Sequence, residues 1–307
     1  MSHFLVTGGC GFIGSHLVDL ILQEGHHVRV LDDLSTGKRE NLAAAAELVL
    51  GDVADRSLVQ ESLVGMDGCF HLAAVASVER CRRDWLGTHR TNQTGAITVF
   101  DCARATAERR AIPVVYASSA AVYGEQPGGA LREDVTLHPL SVYGADKLGC
   151  ELHGRVAAQM FGVPTVGLRF FNVFGPRQDP KSPYSGVISI FCDRIRNGLP
   201  ITIFGTGQQV RDFVYVIDVA RALWAAMKTP LPIGCVLNVC TGIPTSLHTL
   251  ADTIATLLGS SPSVEFAPPR VGDIDVSLGD PELCERLLQL RAETTLTAGL
   301  AKMLRTH

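Results

Sequence analysis

Apolar residues along this chain come in short runs closed by glycine, aspartate or serine, and stretches of helical spacing lie between them. The first run, Phe4-Leu-Val-Thr7, turns through glycines at Gly8, Gly11 and Gly14 and passes into a helix-period pattern from Gly11 to Gln23. Gly25 breaks that pattern, and His27-Val-Arg-Val-Leu-Asp32 reads as a second buried strand. Glu47 to Asp52, Cys69 to Ala74 and Pro113 to Ser119 read as a third, fourth and fifth. Thr88 to Arg104, which carries Asn92, is helix-like, and the short Ala43–Ala46 block is a good helix former. Strands alternating with helical stretches predict a doubly wound parallel sheet, an α/β fold.

Beyond residue 170 the pattern changes. Pro176, Pro180, Pro183, Pro200, Pro230 and Pro232 punctuate shorter elements, and polar or proline-rich stretches follow at Ser260–Val264 and Pro268–Pro269. This predicts a cofactor-type domain over 1–170 and a smaller C-terminal α/β region over 171–307 that closes over it, with segments crossing between the two. The length of 307 residues and an apolar share of 46% accommodate both. A formal net charge of −4 argues against a general nucleic-acid or anionic-membrane surface. No apolar run reaches spanning length, and the first residues already read as core strand, so no signal peptide is expected. The nine cysteines are odd in number and form no C-x-x-C pair, with Cys235 and Cys240 the nearest neighbours. Free thiols in a reducing compartment, the cytoplasm, are the natural reading, and no metal site is expected.

The glycine turn is where chemistry enters. A strand, a tight glycine turn and a helix whose N-terminus stays open make a seat for a pyrophosphate, although the spacing here is G-x-x-G-x-x-G. Asp32 ends the second strand ~20 residues on, where a carboxylate selects free ribose hydroxyls and repels a 2′-phosphate. The expected cofactor is therefore NAD, with Lys38 and Arg39 close enough to soften the choice. In such sheets ligands sit beyond the strands' carboxyl ends, so Asp32, Asp52, Ala73, Ala74 and Ser119 converge on one crevice. Tyr143 and Lys147 are four apart in a stretch that Pro139 and Ser141 mark as a helix start, which puts a phenol beside an ammonium. A phenol, with an ordinary pKa near ~10, is a poor base at neutral pH, and an adjacent cation favours the phenolate. Ser119 supplies a hydroxyl to the same crevice.

With these residues in order, the chain resembles the extended short-chain dehydrogenase/reductases, in the NAD-dependent nucleotide-sugar epimerase and dehydratase branch. Thr7–Gly14, Asp32, Gly51-Asp-Val53, Leu72-Ala-Ala74, Ser118–Gly124, Tyr143–Lys147, Arg169-Phe-Phe-Asn172 and Gly207–Asp212 carry the resemblance over almost the whole length. It implies a Rossmann-type fold with a smaller substrate-binding region. It also implies cofactor contacts from the glycine turn (Gly8, Gly11, Phe12, Ile13, Gly14), from Asp32, Thr36 and Gly37, and from Asp52 and Val53. Leu72, Ala73, Ala74, Asn92, Tyr143, Lys147 and Phe170 complete that set.

Dehydratases of the branch carry an acid just after the catalytic hydroxyl, whereas this chain has Ala120 and Ala121. What remains resembles the UDP-hexose 4-epimerases, which oxidise the sugar at C4 and reduce it again on the other face with the cofactor retained. In that scheme Tyr143 takes the proton of the 4-hydroxyl, Ser119 steadies the oxygen, and Lys147 tunes Tyr143 and holds the ribose. The resemblance assigns Asn172, Arg211 and Arg270 to the diphosphate, Asp273 to the uridine ribose, and Ser185, Gly186, Val187 and Phe204 to the base. Ser277 falls at a pocket-wall position that is bulky in glucose/galactose-restricted relatives, and Ala76, Gly186 and Ser118 are also small. This favours UDP-N-acetylglucosamine and UDP-N-acetylgalactosamine as substrates. Plain UDP-glucose 4-epimerase is the nearer alternative. UDP-glucuronate epimerisation would need a cation near C6 that the sequence does not locate. A non-catalytic NAD-binding sensor would be expected to lack the Tyr/Lys pair. A homodimer through a four-helix bundle, built from the Thr88–Arg104 region and the helix beginning at Tyr143, is implied by the resemblance.

Overall fold

In the first half of the chain, β1 (His3–Thr7), β2 (His27–Asp32), β3 (Glu47–Leu50), β4 (Gly68–His71), β5 (Val114–Ser119) and β6 (Thr165–Phe170) form the strands. They alternate with α1 (Phe12–Gln23), α2 (Arg56–Ser62), α3 (Val78–Arg83), α4 (Trp85–His89), α5 (Gly95–Cys102) and α6 (Val142–Phe161). The second half adds β7 (Asn172–Phe174), α7 (Val187–Arg196), β8 (Ile201–Phe204), β9 (Val210–Tyr215), α8 (Val216–Lys228) and β10 (Cys235–Val239). It ends with β11 (Pro244–Ser246), α9 (Leu247–Leu258), β12 (Val264–Ala267), β13 (Val276–Ser277), α10 (Glu282–Leu288) and α11 (Leu296–Arg305). The structure, a computed structural model of the chain, describes residues 1–107, 109–179, 186–269 and 273–305.

One parallel seven-stranded sheet runs in the order β10-β6-β5-β4-β1-β2-β3. The order reverses between β1 and β4, so two neighbouring strands send their connections to opposite sides and open a crevice at their carboxyl ends. Burial on both faces explains the apolar runs: Leu5, Val6, Val30, Leu31 and Val114 are wholly inaccessible. One face is covered by α1 and α8, with Leu17, Val18, Ile21, Leu223 and Trp224 in its core. The other is covered by α2, α5 and α6 around Val59, Val99, Phe100 and Tyr116. Each fully buried side chain of this kind contributes about 1.5–3 kcal/mol.

The strands stop short of the apolar runs that announce them. β3 ends at Leu50 and β4 at His71, which leaves Gly51-Asp52 and Leu72-Ala-Ala74 as loop at the crevice edge. Thr88–Arg104 is helical as expected up to Cys102, with a π segment over Arg90–Thr94 joining α4 to α5. One expectation is corrected. Ala43–Ala46 forms a turn closed by Ala46 N–H donating to Ala43 O at 3.1 Å, because four residues are too few to propagate a helix.

The C-terminal half builds a smaller layer around Phe174, Phe191, Phe213, Tyr215 and Leu300. There β9 pairs antiparallel with β11 and parallel with β7 and β13. No helix among the described residues is long and apolar enough to cross a membrane.

Candidate active site

A cleft of about 740 Å³ opens at the carboxyl edge of the large sheet. Its floor is the glycine turn. Gly8 has φ +72°, the left-handed region, and a Cβ there would stand 2.7 Å from the Ala73 backbone nitrogen. Gly14 lies inside α1, packed on the Gly8 carbonyl. Gly11 caps α1 without a side-chain bond, and the first turn holds no acid, so its N–H groups face the cleft uncapped. At the wall, Asp32 accepts from Cys10 N at 2.9 Å and Leu34 N at 2.8 Å, one bond per carboxylate oxygen. Each oxygen keeps a lone pair for a ligand hydroxyl. Burial pushes the Asp32 carboxyl up from the ordinary range, and the two backbone donors pull it back. Phe12, Ile13, Thr36, Gly37, Asp52, Val53, Leu72, Ala73, Ala74 and Phe170 line the same cleft.

These features fit a dinucleotide: a bare anion seat, a carboxylate with acceptor capacity to spare, and small residues where a backbone must be approached. Arg177 adds to the fit. It lines the cleft and donates to Asp19 at 2.8 Å, and its Nη1 is buried without a partner.

Across the cleft stand the three groups proposed for chemistry. Ser141 caps α6 by accepting from Gly144 N at 3.0 Å, which fixes where the helix starts and projects Tyr143 and Lys147 into the cleft. Lys147 is almost fully buried; its Nζ donates to Ala117 O at 2.9 Å and lies 5.9 Å from the Tyr143 ring centre. One ammonium proton is thus committed to β5 and two remain for a ligand. Ser119 Oγ accepts from Ala121 N at 3.1 Å, which leaves its own proton free to donate into the cleft. His71 lies behind this wall, buried, with Nδ1 against Thr7 Oγ1 at 2.8 Å. Burial and the nearby Lys147 charge push it down to about 3, so it is neutral at working pH.

The structure separates the sequence-derived residues into those at the cleft and those away from it. Ala76, Ser118, Ser119, Tyr143, Asn172 and Gly186 are on the cleft wall. Ser118 is there through its backbone, since its hydroxyl donates to the buried Glu151. Asn92 is not on the wall: it is inaccessible, and its side-chain amide bonds the Val75 N–H at 2.7 Å and carbonyl at 3.2 Å. It holds the 74–77 loop in place from behind. Val187 opens α7 and packs into the smaller layer, and Phe204 ends β8 opposite Ala267. Arg211 pairs with Asp273 at 2.8 Å, and Ser277 sits opposite Arg211 in the β9–β13 pair, buried. None of Val187, Phe204, Arg211, Asp273 and Ser277 lines the cleft. Arg270 and Ser185 lie outside the described residues.

Several cleft residues carry no mark in the sequence. Ser35, Asn41, Ser77, Arg80, Thr91, Gln178 and Asp179 all line it. Lys38 reaches across to Asp179 at 3.0 Å, a pair 141 positions apart that no local pattern foretells. Arg177 has a local signal, standing just after Gly175-Pro176 with φ +66°.

The chain has clear relatives. Residues 4–240 match the model of the NAD-dependent epimerase/dehydratase family. The UDP-glucose 4-epimerase of Mycolicibacterium smegmatis is 36% identical over 305 residues, covering 97% of this chain and 96% of the relative. The crystal structure of Thermotoga maritima UDP-glucose 4-epimerase with UDP-glucose superimposes with a TM-score of 0.94 at 33% identity, covering 99% and 98% of the two chains. The UDP-N-acetylglucosamine 4-epimerase of Methanobrevibacter ruminantium, in complex with UDP-N-acetylmuramic acid, gives 0.93 at 34% identity, covering 99% and 97%.

Proposed function

The chain belongs to the NAD-dependent epimerase/dehydratase family, and from that premise we propose that it is a UDP-sugar 4-epimerase. Its substrates on this reading are UDP-N-acetylglucosamine and UDP-N-acetylgalactosamine, with UDP-glucose and UDP-galactose turned over less well. One observation carries the reaction type. Ser119, Tyr143 and Lys147 share the cleft with the glycine turn, and the loop after β5 supplies Ala120 and Ala121 and no carboxylate. That set can oxidise and re-reduce a carbinol, and it lacks the base from that loop that elimination beside a ketone requires.

The cofactor would be held by the uncapped start of α1, by Asp32 and Arg177, and by the free protons of Lys147. When bound, NAD⁺ supplies a hydride acceptor that can return what it takes. Tyr143 receives the proton of the sugar 4-hydroxyl and gives it back, with the Lys147 charge one helical turn away. Ser119 donates to the same oxygen and holds it in place while the carbonyl exists. Gly8 and Gly14, packed against Ala73 and against each other, keep the seat rigid.

Sugar choice rests on size. Ala76 and Gly186 on the cleft wall, and Ser277 by its match to the family's gate position, are all small. The test is incubation of the protein and NAD with UDP-Glc, UDP-Gal, UDP-GlcNAc, UDP-GalNAc and UDP-glucuronate separately, with products resolved. Interconversion of the acetylated pair is expected, and Ser277→Tyr should abolish it while sparing UDP-galactose. Equal loss of both activities would refute the gate. A second reading, UDP-glucuronate epimerisation, gains one observation: Arg80 lines the cleft beside Ala76 and Ser77, and no described residue pairs with its guanidinium. Turnover of UDP-glucuronate alone would establish it instead.

The partner we propose is a second copy of the chain. Leu152, Val156 and Met160 follow one another at single-turn spacing on α6 and are 52%, 41% and 72% exposed, with Ile97 on the neighbouring α5. The free state of all nine cysteines fits a reducing location, the cytoplasm.

A further inference from the structure

Tyr143, Lys147 and Glu151 lie on one face of α6, each a turn apart. The first two reach the cleft, whereas the third is buried in the fold. Glu151 and Arg169 of β6 form a two-pronged ion pair, Nε to Oε1 and Nη2 to Oε2, both at 2.8 Å, with side chains only 2% and 4% exposed. Oε1 also accepts the hydroxyl of Ser118 at 2.5 Å. The remaining Arg169 nitrogen donates to Tyr123 Oη at 2.9 Å and Glu133 O at 3.1 Å. Tyr123 donates in turn to Asn238 on β10 at 2.6 Å. Asn238 Nδ2 donates to Leu131 O at 2.7 Å, and its backbone N–H donates to Glu133 Oε1, also at 2.7 Å.

A buried pair of this kind is a weak source of stability, because removing both ions from water offsets most of their attraction. Its use here lies in what it fixes. Ala117, Ser118 and Ser119 are the last three residues of β5. Ala117 O accepts from Lys147, Ser118 donates to Glu151, and Ser119 faces the cleft. The strand end that presents Ser119 is therefore tied, at two successive turns, to the helix face that presents Tyr143. Ser119 and Tyr143 have to meet on one sugar oxygen, and their separation is set by these two ties.

We propose that Glu151 is a positioning residue. Through Ser118, with Arg169 as its counter-charge, it holds Ser119 in register with Tyr143. The inference rests on the epimerase reading above.

The test is a double-mutant cycle on the cofactor-loaded full chain, with Ser118→Ala, Glu151→Asp and the two combined. Ser118→Ala removes one hydroxyl and leaves the ion pair whole, so it folds even where changes at Glu151 do not. Glu151→Asp keeps the charge and withdraws it by one methylene. For each protein the readouts are kcat and KM for the UDP-sugar, bound NAD, melting temperature, and the rate at which bound NAD is reduced on mixing with UDP-sugar.

Each single variant is expected to lower kcat and the reduction rate about tenfold, with KM and bound NAD within about twofold, as loss of a pre-organised geometry does. The double variant should lose no more than the worse single one, since both changes cut the same tie. Wild-type kcat in Ser118→Ala, or losses that multiply in the double variant, would overturn the proposal. So would losses that track melting temperature alone. A wild-type protein inactive on every UDP-sugar would overturn the epimerase reading, and this inference with it.

Discussion

Gly14→Ala tests whether the start of α1 is the phosphate seat. In an ordinary helix this change gains roughly 0.8–1 kcal/mol, because alanine is the better helix former. Here the added Cβ overlaps the Gly8 carbonyl oxygen and stands 2.9 Å from both Gly8 C and Gly9 Cα. Gly8 has little room to yield. Its N–H donates to Leu31 O at 2.8 Å, its carbonyl accepts from Gly11 N at 3.1 Å, and Ala73 closes its other side. The helix N-terminus therefore has to retreat, at an overpacking cost of about 1–3 kcal/mol. Set against the helix gain, the net effect on stability runs from about zero to a loss of about 2 kcal/mol.

Cofactor binding should suffer more than folding. Hydrogen bonds to a charged group are worth about 1.5–3 kcal/mol each. Displacing one such N–H from a pyrophosphate weakens NAD binding roughly 10- to 150-fold. Calorimetric titration of cofactor-stripped protein with NAD measures the affinity, and urea unfolding of the same sample measures stability. A folded Gly14→Ala protein with wild-type NAD affinity would refute the seat.

Tyr143→Phe should lower kcat by about 10²–10⁴ with KM and melting temperature little changed, since no described residue hydrogen-bonds the phenol; more than a tenth of wild-type kcat would remove Tyr143 from the proton path. Leu152→Glu places a charge in the exposed α6 stripe and should yield monomers by light scattering, while an unchanged mass would locate the contact elsewhere. Acid should destabilise the fold through His71. The folded state holds it neutral down to about 3, whereas an unfolded histidine takes its proton near ~6.5, so between those limits the unfolded state binds more protons. Stability then falls by up to ~1.4 kcal/mol per pH unit as pH drops through that window, with no contribution above it. In urea unfolding from pH 7 to 4, His71→Gln should give a shallower fall, and parallel curves would refute this account.

What could be read from the sequence follows from what each feature depends on. β1, β2, β4 and β5 are legible because their central residues are covered on both faces and read as short apolar runs. β3, a part-exposed edge strand, is legible only from the apolar run Leu48-Val-Leu50 before its Gly-Asp turn. β6 is buried throughout and β10 over its last three residues, but they carry Arg169 and Asn238, 3% and 0% exposed. Those polar residues break the apolar signal because they serve the Glu151 network, whose partners are scattered from Ser118 to Asn238. Asn92 misled in the opposite way. The resemblance assigns it to the cofactor, whereas in the fold its amide bonds the Val75 backbone. Ser277, Arg211 and Asp273 are brought together by the β9–β13 pairing, a contact over 60 positions apart that no local pattern specifies.

The same long-range pairings explain why a boundary at residue 170 marks a change of pattern more than a separation. β6 ends at Phe170 on the cleft wall, and two residues later Asn172, also on the wall, opens β7, which belongs to the smaller sheet. The chain returns at β10 to become the edge strand beside β6, after α8 has covered the face that α1 occupies. Residues 1–170 alone would leave the β6 edge unpaired and deprive Tyr123 of Asn238, its buried acceptor. The large sheet is completed by the part of the chain that also reaches over its crevice. On the epimerase reading, a substrate contact at Asn172 would lie two residues beyond the end of β6, the strand whose Phe170 pairs with Ser119 of β5. That reading would place binding and chemistry on adjoining, hydrogen-bonded backbone.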